Sequence, residues 1–256
     1  MEKILVLDFG GQYNQLIARR VREAQVYCEV HGYNVFDLEA IKKFAPRGVI
    51  LTGGPQSVNA SDFRVDEKLF EIGVPILGIC FGAQLMAKVL GGRVEPAPTS
   101  EFGRTELDRI GNARLLDGMS ARSTVWMSHN DRIEEVPRGF VVTATTANCP
   151  IAAMEDDARK LYAVQFHPEV VHTDEGSIIF DNFIELCGCA RDWRMKSFAE
   201  EKIAELRSTI SGRALCALSG GVDVEGDRQE SDVRIRRPRT VEEERGGRGR
   251  GGVQKF

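Results

Sequence analysis

No apolar run in the 256-residue sequence approaches the ~20 residues that a membrane-crossing helix requires. Met1-Glu2-Lys3 leads straight into a strand pattern, with no secretory leader before it. An excess of positive charge is missing too. The formal net charge is −4, so no overall electrostatic attraction draws the chain to nucleic acid or to a membrane surface. The six cysteines, at positions 28, 80, 149, 187, 189 and 216, lack the spacing of a disulfide framework. Reduced thiols in a cytoplasmic protein are therefore expected. Cys187-Gly188-Cys189 has the form of half a zinc site, but no second Cys/His pair stands at the matching spacing. It reads as a helix end, and no residue is assigned to a metal.

Two glycine loops lack what a complete nucleotide site needs. Gly10-Gly11 has neither the G-x-G-x-x-G pattern nor an evident acidic partner for a ribose. Ser219-Gly220-Gly221-Val222-Asp223 is a small-residue loop whose N–H groups can cradle phosphates, without the lysine or spacing of a Walker loop. Beyond Asp223 apolar periodicity disappears. Residues 224–256 alternate basic and acidic side chains around a Gly-Gly-Arg-Gly-Arg-Gly-Gly run, which cannot bury enough surface to fold. An RGG-type nucleic-acid segment is the alternative, disfavoured by the acidic neighbours and the absence of interleaved aromatics.

What is present is a regular alternation of strand and helix patterns. Lys3–Phe9 is a near-continuous apolar run, as in a strand covered on both faces. Gly10-Gly11 turns into a helix over 12–24, with Leu16, Ile17, Val21 and Ala24 on one face. Strands over 26–30 and 48–52 follow, the latter ending in Gly53-Gly54-Pro55. A short helix over 65–72 leads to a strand over 74–79, and a further helix begins at Phe81. The spacing predicts an α/β fold with a doubly wound, mostly parallel sheet, whose ligand lies beyond the C-terminal strand edges. Gly10-Gly11, Gly53-Gly54 and Cys80 all fall at that edge. Short strands over 101–110, 124–127, 140–144, 151–154 and 160–166 add an antiparallel region. The polar tetrad Ser128-His129-Asn130-Asp131 reads as a turn closing one of them. Helices over 175–187 and 193–210 follow, then a fresh strand over 213–218.

Cys80 stands between the strand ending at Ile79 and the helix from Phe81, with glycines at minus two and plus two. Glycine lets the backbone turn sharply there and hold the side chain exposed. A thiol at a helix N-terminus is favoured as thiolate. A bare G-x-C-x-G suits a buried core cysteine equally well. The deciding context is His167-Pro168-Glu169, at the end of a strand, with His167 and Glu169 on one face of an extended segment. A carboxylate against an imidazole fixes its tautomer and stabilises the imidazolium. Cys80, His167 and Glu169 thus form a nucleophile, base and orienter. Gly54 and Phe81 can present backbone N–H groups to an oxyanion. His31 and His172 lack such a setting and read as surface or structural residues.

These motifs, with Asp8-Phe9-Gly10-Gly11-Gln12-Tyr13, Thr52-Gly53-Gly54-Pro55, Ser128-His129-Asn130-Asp131 and the Ser219–Asp223 loop, resemble those of the class I (triad-type) glutamine amidotransferases. Within that class the likeness is to the glutamine-hydrolysing GMP synthetases, over about Lys3 to Asp223. The resemblance implies a flavodoxin-like fold, an amidotransferase domain over 1–190, a connecting helix over 191–212, the opening of an ATP pyrophosphatase domain over 213–223, and a disordered tail over 224–256. It implies that Cys80 attacks the amide of glutamine, that Gly54 and Phe81 hold the oxyanion, and that His167, oriented by Glu169, protonates the leaving ammonia. Gln84, Ser128 and Asp131 are implied to hold the substrate's α-amino and carboxylate groups. That step needs no cofactor. ATP and Mg²⁺ act in the full enzyme, where ammonia passes to adenylated xanthosine monophosphate (XMP). Position 224 is Val where the family's loop continues with Ser, so Ser219–Asp223 is an incomplete nucleotide site and the partner is an ATP pyrophosphatase domain or subunit supplied from elsewhere. Two alternatives stand beside this reading: the same chemistry serving another acceptor, and a non-catalytic remnant. The Ser219–Asp223 loop argues against the first, the intact triad against the second.

Overall fold

The structure is a computed structural model that describes residues 2–59 and 65–209. The chain opens with β1 (Lys3–Asp8), α1 (Asn14–Glu23), β2 (Tyr27–Gly32), α2 (Leu38–Phe44) and β3 (Gly48–Leu51). A 3₁₀ turn over Glu67–Glu71 precedes β4 (Ile76–Ile79) and α3 (Phe81–Val89). Then come β5 (Arg93–Arg109), β6 (Arg122–Glu135), β7 (Val141–Thr145), β8 (Ala153–Asp156), β9 (Leu161–Val164), α4 (Gly176–Leu186) and α5 (Met195–Thr209). Among the described residues the strands form one sheet, in the order β2-β1-β3-β4-β9-β8-β7-β5-β6. Pairing is parallel from β2 to β9 and antiparallel from β9 to β6.

The double winding follows from the apolar runs. In β1, Ile4 and Val6 join Ile17 and Val21 of α1 and Ile179 and Phe183 of α4 on one face. Leu5 and Leu7 point the other way, into a layer with Ile41 of α2 and Leu85 and Met86 of α3. Successive strand side chains alternate between faces, so a strand needing two apolar layers carries no polar position. The parallel half and the added antiparallel region match the expected architecture.

One helix was not read from sequence, and three local expectations change. α2 carries only one buried residue, Ile41, too little periodicity to read from sequence. It is started instead by Asp37, whose carboxylate accepts from Ala40 N–H at 2.8 Å. The expected helix over 65–72 is a single 3₁₀ stretch. Two strands of the antiparallel region are not short: β5 and β6 span 17 and 14 residues as a paired ribbon, while β7 and β8, of 5 and 4 residues, are short as expected. Ser128–Asp131 is no turn but lies within β6, opposite β5, with Ser128 facing Phe102, His129 facing Glu101 and Asp131 facing Pro96. The tetrad can be polar inside a strand because part of its surroundings is a cavity rather than packed core.

Cys187 is the C-cap of α4 and Gly188 follows at φ +64, the helix end read from sequence. α5 is described by itself; it leaves Ile203 and Leu206 exposed. No helix among the described residues is long and apolar enough to cross a membrane. The expected strand over 213–218, the Ser219, Gly220, Gly221, Val222 and Asp223 loop, and the 224–256 tail lie outside the described residues.

Candidate active site

Cys80 joins β4 to α3 at φ +51, ψ −105, a conformation that costs a non-glycine residue of order 1–3 kcal/mol. The surroundings hold it there. Cys80 N–H donates to Val164 O at 2.8 Å, and Cys80 O accepts from Ala83 and Gln84 N–H, both at 3.1 Å. The strained torsion sits on the cysteine itself; neither flanking glycine has a positive φ. Their role is clearance. A Cβ on Gly82 would lie 2.3 Å from Leu51 O, and one on Gly78 would lie 2.7 Å from Gly82 O. Glycine at both positions lets α3 start directly against β3 and β4, which aims the sulfur across the strand ends.

The histidine arrives from the neighbouring strand. Past the end of β9, His167 N–H donates to Trp126 O at 2.9 Å and His167 O accepts from the Thr173 hydroxyl at 2.6 Å, so the backbone is tied on both sides. Nδ1 lies 2.7 Å from Glu169 Oε1. Tyr13 closes the ring edge-on, its centroid 5.1 Å away. Burial by itself would depress the imidazole pKa. The charge and hydrogen bond of Cys80, with those of Glu169, outweigh burial and hold it well above the usual histidine value. An imidazole placed between a sulfur and a buried carboxylate is a base that stays charged once it takes a proton.

The two glycine pairs pack against each other and against this pair. A Cβ on Gly11 would meet Gly53 O at 2.5 Å, one on Gly53 would meet His167 Cε1 at 3.2 Å, and one on Gly54 would meet Phe9 O at 3.0 Å. The Thr52 hydroxyl accepts from Phe9 N–H at 3.1 Å and donates to Gly53 O at 2.9 Å, fixing the loop after β3. Backbone therefore runs past the nucleophile where a side chain would block it.

Cys80, His167, Glu169, Gly54, Phe81, Gln84, Ser128 and Asp131 line one open cavity of about 330 Å³. Gln84 and Asp131 are joined directly, Gln84 Nε2 donating to Asp131 O at 2.7 Å. One Asp131 carboxylate oxygen accepts from the Ser57 hydroxyl. Sequence reasoning missed Ser57, Tyr13 and Gln165. The last is 1% exposed and touches both Gln84 and Cys80. Its sequence signal was its place two residues before His167. His129 also lines the cavity, and its Nε2 lies 3.2 Å from Glu101 Oε2, both side chains buried. Cys149 completes a group whose ligand-capable atoms lie within 4.8 Å of one another. Its sulfur already donates to Ile151 O at 3.3 Å, and burial pushes the thiol up to about 12. Glu101 Oε1 accepts from the Thr146 hydroxyl at 2.8 Å. The group thus braces β5 against β6. His31 stacks on Phe36 at 4.2 Å, and the exposed His172 lies against Trp126 at 4.7 Å, in keeping with the surface or structural reading.

The family model described as glutamine amidotransferase class-I matches residues 5–186. The chain belongs to the class-I glutamine amidotransferase family. It is 54% identical over 223 residues to a glutamine-hydrolysing GMP synthase of Clostridium botulinum, covering 86% of this chain and 43% of that protein. It is 53% identical over 225 residues to the enzyme of the same name from Alkaliphilus metalliredigens, covering 87% of this chain and 44% of that one. The chain thus spans less than half the length of these relatives. A solved protein of Thermoplasma acidophilum, described as one subunit of a GMP synthase, superposes with a TM-score of 0.65 at 32% identity, over 79% of this chain and 98% of that one. A glutamine amidotransferase of Thermotoga maritima shares the fold, with a TM-score of 0.55 at 21% identity, over 81% of this chain and 87% of that one.

Proposed function

We propose that this chain hydrolyses glutamine to glutamate and ammonia through a thioester on Cys80, and that the ammonia aminates XMP to GMP on a separate synthetase domain or subunit. The observation that carries the reading is the cysteine at φ +51, sharing one cavity with an imidazole that is itself seated on Glu169. Cys80 gives its proton to His167 and attacks the amide carbon as thiolate, and the carbon–oxygen electrons move onto oxygen, held by the N–H groups of Gly54 and Phe81. His167 delivers its proton to the amide nitrogen, the oxyanion re-forms the carbonyl as the C–N bond breaks, and ammonia leaves a thioester on Cys80. His167 then takes a proton from water, whose hydroxyl attacks the thioester, and glutamate departs as sulfur regains its electrons. Gln84, Ser128 and the Asp131 carboxylate hold the α-amino and carboxylate groups of the substrate.

The GMP assignment draws on the names and sequence identity of the relatives. The Thermoplasma protein, matched over nearly its whole length, is named as one subunit, which supports a partner on a separate chain. ATP with Mg²⁺ would be used by that partner, and the chain's own Ser219–Asp223 loop lies outside the described residues. The test combines the purified chain with a separately expressed synthetase domain, ATP, Mg²⁺ and XMP. The reading predicts GMP formation from glutamine that stops when Cys80 is replaced, while added ammonia still gives GMP. Glutamine-dependent GMP formation that survives Cys80→Ala would overturn it.

A further inference from the structure

We propose that Gln165 is a positioning residue for the nucleophile: its side-chain amide donates to Cys80 Sγ and ties that sulfur to the groups that hold the substrate. The inference deepens the glutaminase reading and rests on it. Gln165 Nε2 lies 3.7 Å from Cys80 Sγ, and Gln165 Oε1 accepts from Gln84 Nε2 at 3.1 Å. The orientation of the amide is set by the network. Asp131 O is a carbonyl and can only accept, so the end of Gln84 that meets it at 2.7 Å is the NH₂. The same NH₂ has a second hydrogen, which faces Gln165, so the Gln165 oxygen must meet it. That leaves the Gln165 NH₂ facing the sulfur.

The sulfur has a second neighbour of opposite character. As a thiol, Cys80 donates to Ser128 O at 3.7 Å. As a thiolate it has nothing to give that carbonyl and accepts from Gln165 and His167 instead. A thiolate is a far better acceptor than a thiol, so the Gln165 contact strengthens when the proton leaves. The backbone of Gln165 is held by its N–H on Ala152 O at 2.8 Å, which leaves the amide little freedom to turn away. A chain of contacts thus runs from Asp131 through Gln84 and Gln165 to Cys80, placing the attacking atom relative to the substrate's amino-acid end.

The test is the pH dependence of Cys80 alkylation by iodoacetamide, followed on the Cys80 peptide by mass spectrometry, in wild type, Gln165→Glu and Gln165→Met. Glu keeps the shape and removes the donors; Met keeps the volume and removes both polar ends. The expected result is a midpoint raised by about one pH unit in both variants, hence roughly tenfold slower alkylation below it, with the alkaline plateau unchanged. A purely structural role would alter the plateau and leave the midpoint in place. An unmoved midpoint in both variants overturns the proposal. Should neither variant fold, the ¹⁵N side-chain amide of Gln165 in the wild-type protein is expected to titrate with the alkylation midpoint, and an amide that ignores it overturns the proposal equally. Glutamate release is assayed on the same samples. Release by wild type with an unmoved midpoint sinks this inference alone, whereas loss of release from wild type counts against the function and leaves the midpoint to decide the role of Gln165.

Discussion

His167 Nδ1 lies 2.7 Å from Glu169 Oε1, two residues further along in a turn after β9 rather than in the extended segment expected from sequence, with the histidine 5% and the glutamate 1% exposed. The proline between them and the tie from Thr173 to His167 O leave the pair little freedom, so the carboxylate selects the tautomer whose Nδ1 carries hydrogen. Glu169→Gln keeps the shape and loses the charge. It is expected to lower glutamine turnover by about 10²–10⁴-fold and to lower the His167 pKa, read from its imidazole NMR signals against pH. Unchanged titration would show that Glu169 does not set the charge of the ring.

Stability should depend on pH in two opposed ways. The folded pKa of His167 is raised, because Cys80 and Glu169 outweigh burial. Its contribution is therefore complete below the unfolded value of about 6.5 and is lost as pH rises through the folded value. His129 is the reverse: burial depresses its pKa against the pull of Glu101. The folded state resists protonating it, so stability falls as pH drops below about 6.5 toward the depressed value. Denaturant unfolding from acid to alkaline pH checks both. Cys80→Ala is expected to flatten the alkaline limb and His129→Gln the acid one.

Gly82→Ala tests the elbow as a piece of packing. Its methyl would sit 2.3 Å from Leu51 O, a rigid strand carbonyl that cannot step aside. A loss of about 3 kcal/mol is expected, seen as a thermal midpoint lower by roughly 10 °C. Gly73→Ala is the control, since nothing lies within 4 Å of its missing Cβ, though its φ of +81 adds local strain. Equal losses for the two would remove clearance as the explanation.

Asp131 gives a prediction about binding rather than chemistry. Its carboxylate lines the cavity while its carbonyl anchors Gln84. Asp131→Asn keeps the backbone contact, so the KM for glutamine should rise by about tenfold or more, with a smaller change in kcat. A fall in kcat at constant KM would place Asp131 in the reacting geometry instead.

The parallel half of the fold was legible because β1, β3, β4 and β9 are buried on both faces and read as nearly unbroken apolar runs, with only the edge strand β2 more polar. Cys80, His167 and Glu169 were legible because they follow such strands directly. Ser128–Asp131 was not. Four polar residues in a row look like a turn, and only the pairing with β5 and the cavity beside them explain a strand. Gln165 was hidden for the opposite reason: a single glutamine at a strand end has no pattern, and its meaning comes from Gln84 and Cys80, both about 80 positions earlier, at separations of 81 and 85. The glycines at 78 and 82 were expected to make the sharp turn and hold Cys80 exposed; the turn is made by the cysteine itself, which is only 6% exposed, and the glycines serve close approach.

The most direct test of the account is glutamate release from glutamine by the purified chain, compared with Cys80→Ala and with Cys80→Ser. The account predicts release by the wild type, carried through a glutamyl thioester on Cys80 that can be trapped at low pH, and none from either variant. Release that persists in Cys80→Ala, or no release from folded wild type even with the loaded synthetase partner present, would contradict it.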